Sequence, residues 1–123
     1  MSKQEVILSE KPEQSLTKAI QQIAFDKLFI LTDENTHRFC LPLIQEIECL
    51  KGTDPILIGA GDTHKTLETL ASVWKALGDR GASRHSLLIN LGGGMVTDLG
   101  GFAASTFKRG IPYINAVSYT HLT

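Results

Sequence analysis

An α/β fold, a parallel sheet with helices on both faces, follows from two features of this chain. Short apolar runs without polar alternation recur at Val6-Ile7-Leu8, Lys27–Thr32, Pro55–Ile58 and Ser86–Leu91, and such runs suit strands buried on both faces. Between them lie segments with apolar residues at helical spacing, and strands alternating with amphipathic helices are the pattern of βαβ crossovers. At 123 residues, 42% of them hydrophobic and 20% charged, the chain is long enough to enclose one core. Its formal net charge of -1 offers no electrostatic footing for nucleic acid or an anionic membrane. No apolar run approaches the ~20 residues that span a bilayer, and Met1–Glu5 lacks the start of a signal peptide. The expected location is the cytoplasm.

The elements follow in order. Val6-Ile7-Leu8 reads as the first strand, after which Ser9 or Glu10 opens a helix with Pro12 in its first turn and Leu16, Ile20 and Ile23 on one face. Lys27–Thr32 is the second strand. It ends at Asp33-Glu34-Asn35-Thr36, a run of cap and turn formers that leads into a helix carrying Phe39, Leu43, Ile44 and Ile47. Pro55–Ile58 is the third strand, closed by Gly59-Ala60-Gly61. From Thr66 a helix sets Leu67, Leu70, Ala71, Trp74 and Leu77 in one stripe, and Gly78 stops it. After Ser86–Leu91 comes a glycine turn and then a small-residue helix, Phe102–Phe107.

Cys40 and Cys49 fall in the helix expected after the second strand and read as free thiols, because neither has a partner at metal-ligand spacing. His37, His64, His85 and His121 are equally unclustered, so no metal site is drawn from this chain.

The most informative stretch is Gly92-Gly93-Gly94-Met95-Val96-Thr97-Asp98-Leu99-Gly100-Gly101. A strand, a glycine turn and a helix start aim backbone N–H groups and the positive end of a helix dipole at one point, where a phosphate can bind. The dinucleotide fingerprint would place a third glycine where Thr97 stands, so a purely structural glycine turn remains the other reading. The pattern is Rossmann-like, and ligand-binding loops in such sheets gather at the carboxyl ends of the strands. Three loops qualify, after Thr32, after Ile58 and after Leu91.

Residues 92–112, Gly-Gly-Gly-Met-Val-Thr-Asp-Leu-Gly-Gly-Phe-Ala-Ala-Ser-Thr-Phe-Lys-Arg-Gly-Ile-Pro, closely resemble the glycine-rich signature of 3-dehydroquinate synthase. The resemblance runs in order from about Asp33 to Asn115. It implies the incomplete N-terminal NAD-binding domain of such an enzyme, residues 1–115, followed by a divergent tail, residues 116–123. The family binds NAD and a divalent metal, zinc or cobalt. It converts 3-deoxy-D-arabino-heptulosonate 7-phosphate to 3-dehydroquinate and phosphate in the shikimate pathway, as a homodimer.

Carried onto this sequence, the resemblance names one group of residues in each loop. Asp33 and Asn35 match the adenosine-ribose contact, against a plain role in capping the following helix. Gly61, Asp62 and Lys65 match a segment that binds NAD through an acidic residue and a lysine, against a solvated helix start. Asp62 stands where glutamate is more usual. Gly92, Gly93, Gly94, Met95, Val96 and Thr97 match the pyrophosphate turn, and Asp98 the contact to the nicotinamide half. Arg109 matches an arginine that reaches a neighbouring subunit's substrate phosphate, against a cation that complements a helix end. Within the turn, a side chain at Gly94 is expected to do most harm, both by obstructing the pyrophosphate and by demanding a disfavoured φ. Loss of the Asp98 carboxylate is expected to do less.

The match fades after Asn115. The family continues with Ile-Pro-Thr-Thr-Leu-Leu, whereas this chain runs Ala116-Val117-Ser118-Tyr119-Thr120-His121-Leu122-Thr123. The metal ligands, a glutamate and two histidines, belong to a C-terminal domain without counterpart here, so the chain is expected to be inactive alone. A break near Asn115 is also expected to leave sheet edges uncovered and the protein marginal or oligomeric. Two other readings stay open: a polyol or glycerol-phosphate dehydrogenase or another sugar-phosphate cyclase, and a nucleotide-binding module without catalysis.

Overall fold

In the computed structural model, which describes residues 3–7, 11–59 and 67–117, the strands are β1 (Lys3–Ile7), β2 (Leu28–Asp33), β3 (Ile56–Ile58), β4 (Leu87–Leu91) and β5 (Tyr113–Val117). They form one sheet in the order β1-β5-β4-β2-β3, and every pairing is parallel. The helices are α1 (Pro12–Gln21), α2 (Glu34–Phe39), α3 (Leu67–Asp79) and α4 (Gly94–Thr106). A fully buried leucine or isoleucine contributes about 1.5–3 kcal/mol, and Leu87, Leu88, Ile89 and Leu91 of β4 are all buried. This strand anchors the sheet.

Alternate residues of the strands feed two cores. Ile30, Leu87, Ile89, Leu91, Ile114 and Ala116 face Leu16, Ala19 and Ile20 of α1 together with Cys40, Ile44 and Ile47. Phe29, Leu31 and Leu88 face Leu70, Val73 and Leu77 of α3 and Val96, Leu99, Ala103 and Ala104 of α4. Steps toward β3 therefore carry their connections on one face, and steps back carry them on the other, as crossovers of a single hand require.

Several boundaries differ from the sequence reading. Pro12 is the first residue of α1, with Lys11 as N-cap, because proline needs no N–H partner at that position. The helix expected after β2 stops at Phe39 and gives way to 3-10 turns at Leu41–Leu43 and Glu48–Leu50. Pro42 breaks it, since a proline inside a helix removes one backbone bond and clashes with the preceding turn. Ile44 and Ile47 are still buried, while Phe39 is exposed. Cys40 is a buried free thiol and Cys49 an exposed one.

In α3 the inward stripe is Leu70, Val73 and Leu77, with Trp74 partly buried, and Leu67 is exposed. Gly78 lies inside the helix, which ends at Asp79. The residue that stops it is Gly81, at φ +83. Ala82 N–H bonds Leu77 O at 2.9 Å and Gly81 N–H bonds Gly78 O at 3.1 Å, the two bonds of a Schellman terminus, with Ala82 and Leu77 both buried.

Helix α4 begins directly at the glycine turn, well before Phe102, and its glycines allow close approach to the sheet. A Cβ on Gly101 would lie 3.3 Å from the Tyr113 ring, and one on Gly100 would lie 1.9 Å from Asn90 Oδ1. Trp74 Nε1–H donates to Thr106 Oγ1 at 3.0 Å and ties α3 to α4. After α4 the chain reverses through Lys108 (φ 47), Arg109 (φ 70) and Gly110 (φ 109). It then enters β5, which lies between β1 and β4 and pairs through Val117. Among the described residues the last strand is thus interior, and the sheet edges are β1 and β3. Ala116 and Val117, the first residues of the tail in the sequence reading, are the last two of β5.

Candidate nucleotide-binding site

The connection leaving the carboxyl end of β2 turns toward β3, and the one leaving β4 turns toward β5. The two chains part company between neighbouring strands, and the crevice at such a switch point is where open α/β sheets bind ligands. The loops that meet there are those of Asp33 and of Gly92–Gly94. Register places Leu31 beside Asn90, so Asp33 and Gly92 lie at matching heights on adjacent strands.

Asp33 ends β2 and caps α2. Its Oδ1 accepts the Thr36 N–H at 2.8 Å, and its own N–H donates to Thr36 Oγ1 at 3.0 Å, a reciprocal capping box. The cap uses one carboxylate oxygen and leaves Oδ2 outside it, so capping and a contact to a ribose hydroxyl are compatible. Asn35 is exposed in the first turn of α2.

Gly93 is the N-cap of α4 and contributes no side-chain cap. The first bond closing the helix runs from Thr97 N–H to Gly93 O at 3.1 Å. The N–H groups of Gly94, Met95 and Val96 therefore have no carbonyl one turn back, and they point out of the helix at its positive end. Gly92 is buried at φ +148, and its N–H bonds Ala116 O at 2.9 Å. The residue whose backbone demands glycine is Gly92, not Gly94. Gly94 is exposed, has no positive φ, and a Cβ there would meet nothing within 4 Å among the described residues. A side chain at 94 would obstruct a ligand without straining the fold.

The side chains after the turn divide their duties. Val96 is buried in the core beneath α4 and Met95 packs against it, so these two offer a ligand their N–H groups. Thr97 Oγ1–H is directed back onto Gly93 O at 3.0 Å and Gly94 O at 3.2 Å. Asp98 is exposed in the second turn. Gly61, Asp62 and Lys65 lie outside the described residues.

Arg109 is not brought to this crevice. It follows the carboxyl end of α4, about 20 Å from the turn at 1.5 Å per residue, and its side chain is exposed. A groove of about 710 Å³ lies beside the carboxyl end of α1, with Ile20, Ile23, Phe25, Ile47 and Cys49 among its lining residues. The described residues bring no three of His, Cys, Asp or Glu together, and therefore offer no seat for a metal ion.

Two features of the site escaped the sequence reading. Thr36 is fully buried beneath the turn, and only the fold shows that it touches Gly92. Asn90 and Asn115, paired across β4 and β5, join through Asn90 Nδ2–H to Asn115 Oδ1 at 3.0 Å. A polar residue near the end of each of two apolar runs was the available signal. Asn90 Oδ1 and Thr32 Oγ1 are buried without a hydrogen-bond partner among the described residues. Near the cap, burial raises the Cys40 thiol pKa, and the Asp33 charge adds to the effect.

Comparison with known proteins agrees with this architecture. A 2-deoxy-scyllo-inosose synthase superposes with a TM-score of 0.77 at 22% identity, covering 94% of this chain and 32% of that one. The 2-epi-5-epi-valiolone synthase of Streptomyces hygroscopicus subsp. jinggangensis 5008, a structure with NAD+ and Zn2+ bound, gives 0.70 at 24%, covering 94% of this chain and 32% of that one. At such identities the likeness concerns the fold. In sequence, the 3-dehydroquinate synthase of Parabacteroides distasonis is 47% identical over 115 residues, 94% of this chain and 33% of its own length. That of Pyrococcus abyssi is 41% identical over 100 residues, 80% of this chain and 30% of its own length. The chain thus spans about a third of the curated relatives it matches. Residues 55–122 match the family described as 3-dehydroquinate synthase N-terminal, and the chain belongs to that family.

Proposed function

We propose that this chain is the NAD-binding part of a 3-dehydroquinate synthase. The meeting of the Asp33 cap and the Gly92–Gly94 turn at the β2/β4 switch point carries the reading. In it, the N–H groups of Gly94, Met95 and Val96 hold the pyrophosphate, Asp33 and Asn35 hold the adenosine ribose, and Asp98 faces the nicotinamide half. Gly61, Asp62 and Lys65, outside the described residues, are assigned to further NAD contacts. Bound there, NAD would take up and return a hydride. The backbone groups of α4 neutralise phosphate charge without reorganising, because the fold has already oriented them.

The solved neighbours with NAD+ and Co2+ or Zn2+ bound support a dinucleotide site and a metal in the complete enzyme. No step is assigned to a metal on this chain, whose described residues offer none a seat. The reaction proposed for the complete protein converts 3-deoxy-D-arabino-heptulosonate 7-phosphate to 3-dehydroquinate in the shikimate pathway. The 3-dehydroquinate synthases of P. distasonis and P. abyssi, at 47% and 41% identity, are more alike in sequence than the 2-deoxy-scyllo-inosose synthase, at 22%. Arg109, remote from the crevice, is assigned to the substrate phosphate of a second copy in a homodimer. This reading divides the chain into the NAD-binding part, residues 1–115, and a tail, residues 116–123, whose first two residues, Ala116 and Val117, complete β5.

Calorimetric titration with NAD and ADP-ribose tests the reading. Affinity is expected to fall from wild type to Asp98→Ala to Gly94→Val, because one charged hydrogen bond contributes roughly 1.5–3 kcal/mol whereas a valine obstructs the whole phosphate approach. The open space at Gly94 admits a side chain there among the described residues, and both variants are shown to be folded before titration. Wild-type affinity retained by Gly94→Val would leave the glycine turn purely structural, and an interaction module would bind neither nucleotide. The chain alone is expected to release no phosphate from the sugar phosphate, and chelator-sensitive release would contradict that.

A further inference from the structure

We propose that Thr36 is the joint that holds the two loops of the crevice in one geometry, a positioning residue for a dinucleotide. The inference rests on the nucleotide-binding reading of that crevice. Thr36 is fully buried and faces both loops. Its hydroxyl accepts the Asp33 N–H at 3.0 Å and its N–H donates to Asp33 Oδ1 at 2.8 Å. Its methyl carbon Cγ2 lies 2.6 Å from the point a Cβ on Gly92 would occupy, so the hydrogens of Gly92 fill the space beneath it.

The hydroxyl of this side chain thus holds the Asp33 backbone, whose carboxylate the Thr36 N–H fixes, and its methyl sets the floor of the glycine turn. A dinucleotide spans both, presenting a vicinal diol to the carboxylate and a diphosphate to the turn, and its affinity depends on their separation being fixed before it arrives. Threonine alone among the small residues offers a hydroxyl and a methyl from one Cβ. Serine keeps the hydroxyl, and valine keeps the methyl. The two functions can therefore be separated.

The test titrates the full 123-residue chain, Thr36→Ser and Thr36→Val with adenosine, ADP-ribose and NAD. Thr36→Val removes the acceptor for Asp33 N–H and is expected to weaken all three ligands about three- to tenfold, the range of one hydrogen bond. Thr36→Ser releases only the turn and is expected to weaken ADP-ribose and NAD by a similar factor while adenosine changes by less than about twofold. Uniform weakening of all three by both variants, or no effect of Thr36→Ser on ADP-ribose, would make Thr36 a helix cap and overturn the proposal.

A measurement without ligand accompanies it. Gly92→Ala is introduced into wild type and into Thr36→Ser, and its lowering of the melting temperature is expected to be smaller in the second, because the opposing methyl is gone while the φ of +148 and the Val96 contacts at 3.3 Å weigh on both. Equal lowering in both would overturn the contact on which the proposal stands. If wild type binds none of the three ligands, the nucleotide reading fails, and this cycle still decides whether Thr36 couples the loops.

Discussion

Gly100 of α4 and Asn90 of β4 occupy each other's space so closely that a Cβ on Gly100 would lie 1.9 Å from Asn90 Oδ1 and 2.3 Å from its Cγ. Both residues are buried, and the Asn90 amide is already bonded to Asn115. The contact brings α4 close to the sheet directly behind the glycine turn. Gly100→Ala must therefore displace the buried Asn90 amide and its bond to Asn115, and is expected to cost about 1–3 kcal/mol, read from urea unfolding. Adding Asn90→Ala should recover part of that cost, and strictly additive losses would show that the helix had shifted freely.

The two glycines at the end of α3 should respond with opposite signs. Gly81 needs φ +83, so Gly81→Ala is expected to destabilise by roughly 1–2 kcal/mol. Gly78 is helical, and a Cβ there meets nothing within 4 Å among the described residues. Gly78→Ala is therefore expected to stabilise by about 0.4–1 kcal/mol. The same sign for both in thermal melts would refute the Schellman terminus.

Asp26 gives the fold an acid-sensitive lock. Ser83 Oγ–H and Ser86 Oγ–H both donate to its carboxylate, the latter at 2.7 Å, joining the start of β2 to the start of β4. These bonds hold its pKa below the ordinary aspartate value. A depressed folded pKa means that the stabilisation is complete above the unfolded value, near ~3.9, and is lost as pH falls through the folded one. Stability measured between pH 5 and pH 2 should thus decline more steeply for wild type than for Asp26→Asn. Parallel curves would remove Asp26 from the acid response.

The cysteines should separate kinetically. Cys49 is exposed and Cys40 buried, while desolvation raises both thiol pKa values. Alkylation above neutral pH is expected to modify Cys49 first and Cys40 only at the rate of local opening. Equal rates, followed by mass spectrometry, would mean that the segment after α2 does not pack as described.

Much of the fold was legible because local pattern and tertiary role coincide. The unbroken apolar run at Leu87–Leu91 is buried on both faces, and Asp33 and Thr36 are cap formers that cap. The failures have physical causes. Pro42 ended a helix whose apolar spacing alone looked continuous, and Gly78 could not be told from Gly81 until φ distinguished them.

The sequence by itself determined the α/β class, the crossover pattern and the position of the glycine turn, since these follow from short-range periodicity and glycine chemistry. Only the tertiary structure decided which strands are neighbours. That order sets β2 beside β4 and β5 between β1 and β4, places the crevice between Asp33 and Gly92, and leaves Arg109 at the other end of α4. It also puts Thr36 over Gly92 and Asn90 against Gly100. Contacts between residues distant in the chain depend on the order and register in which the sheet assembles, and no local pattern encodes them.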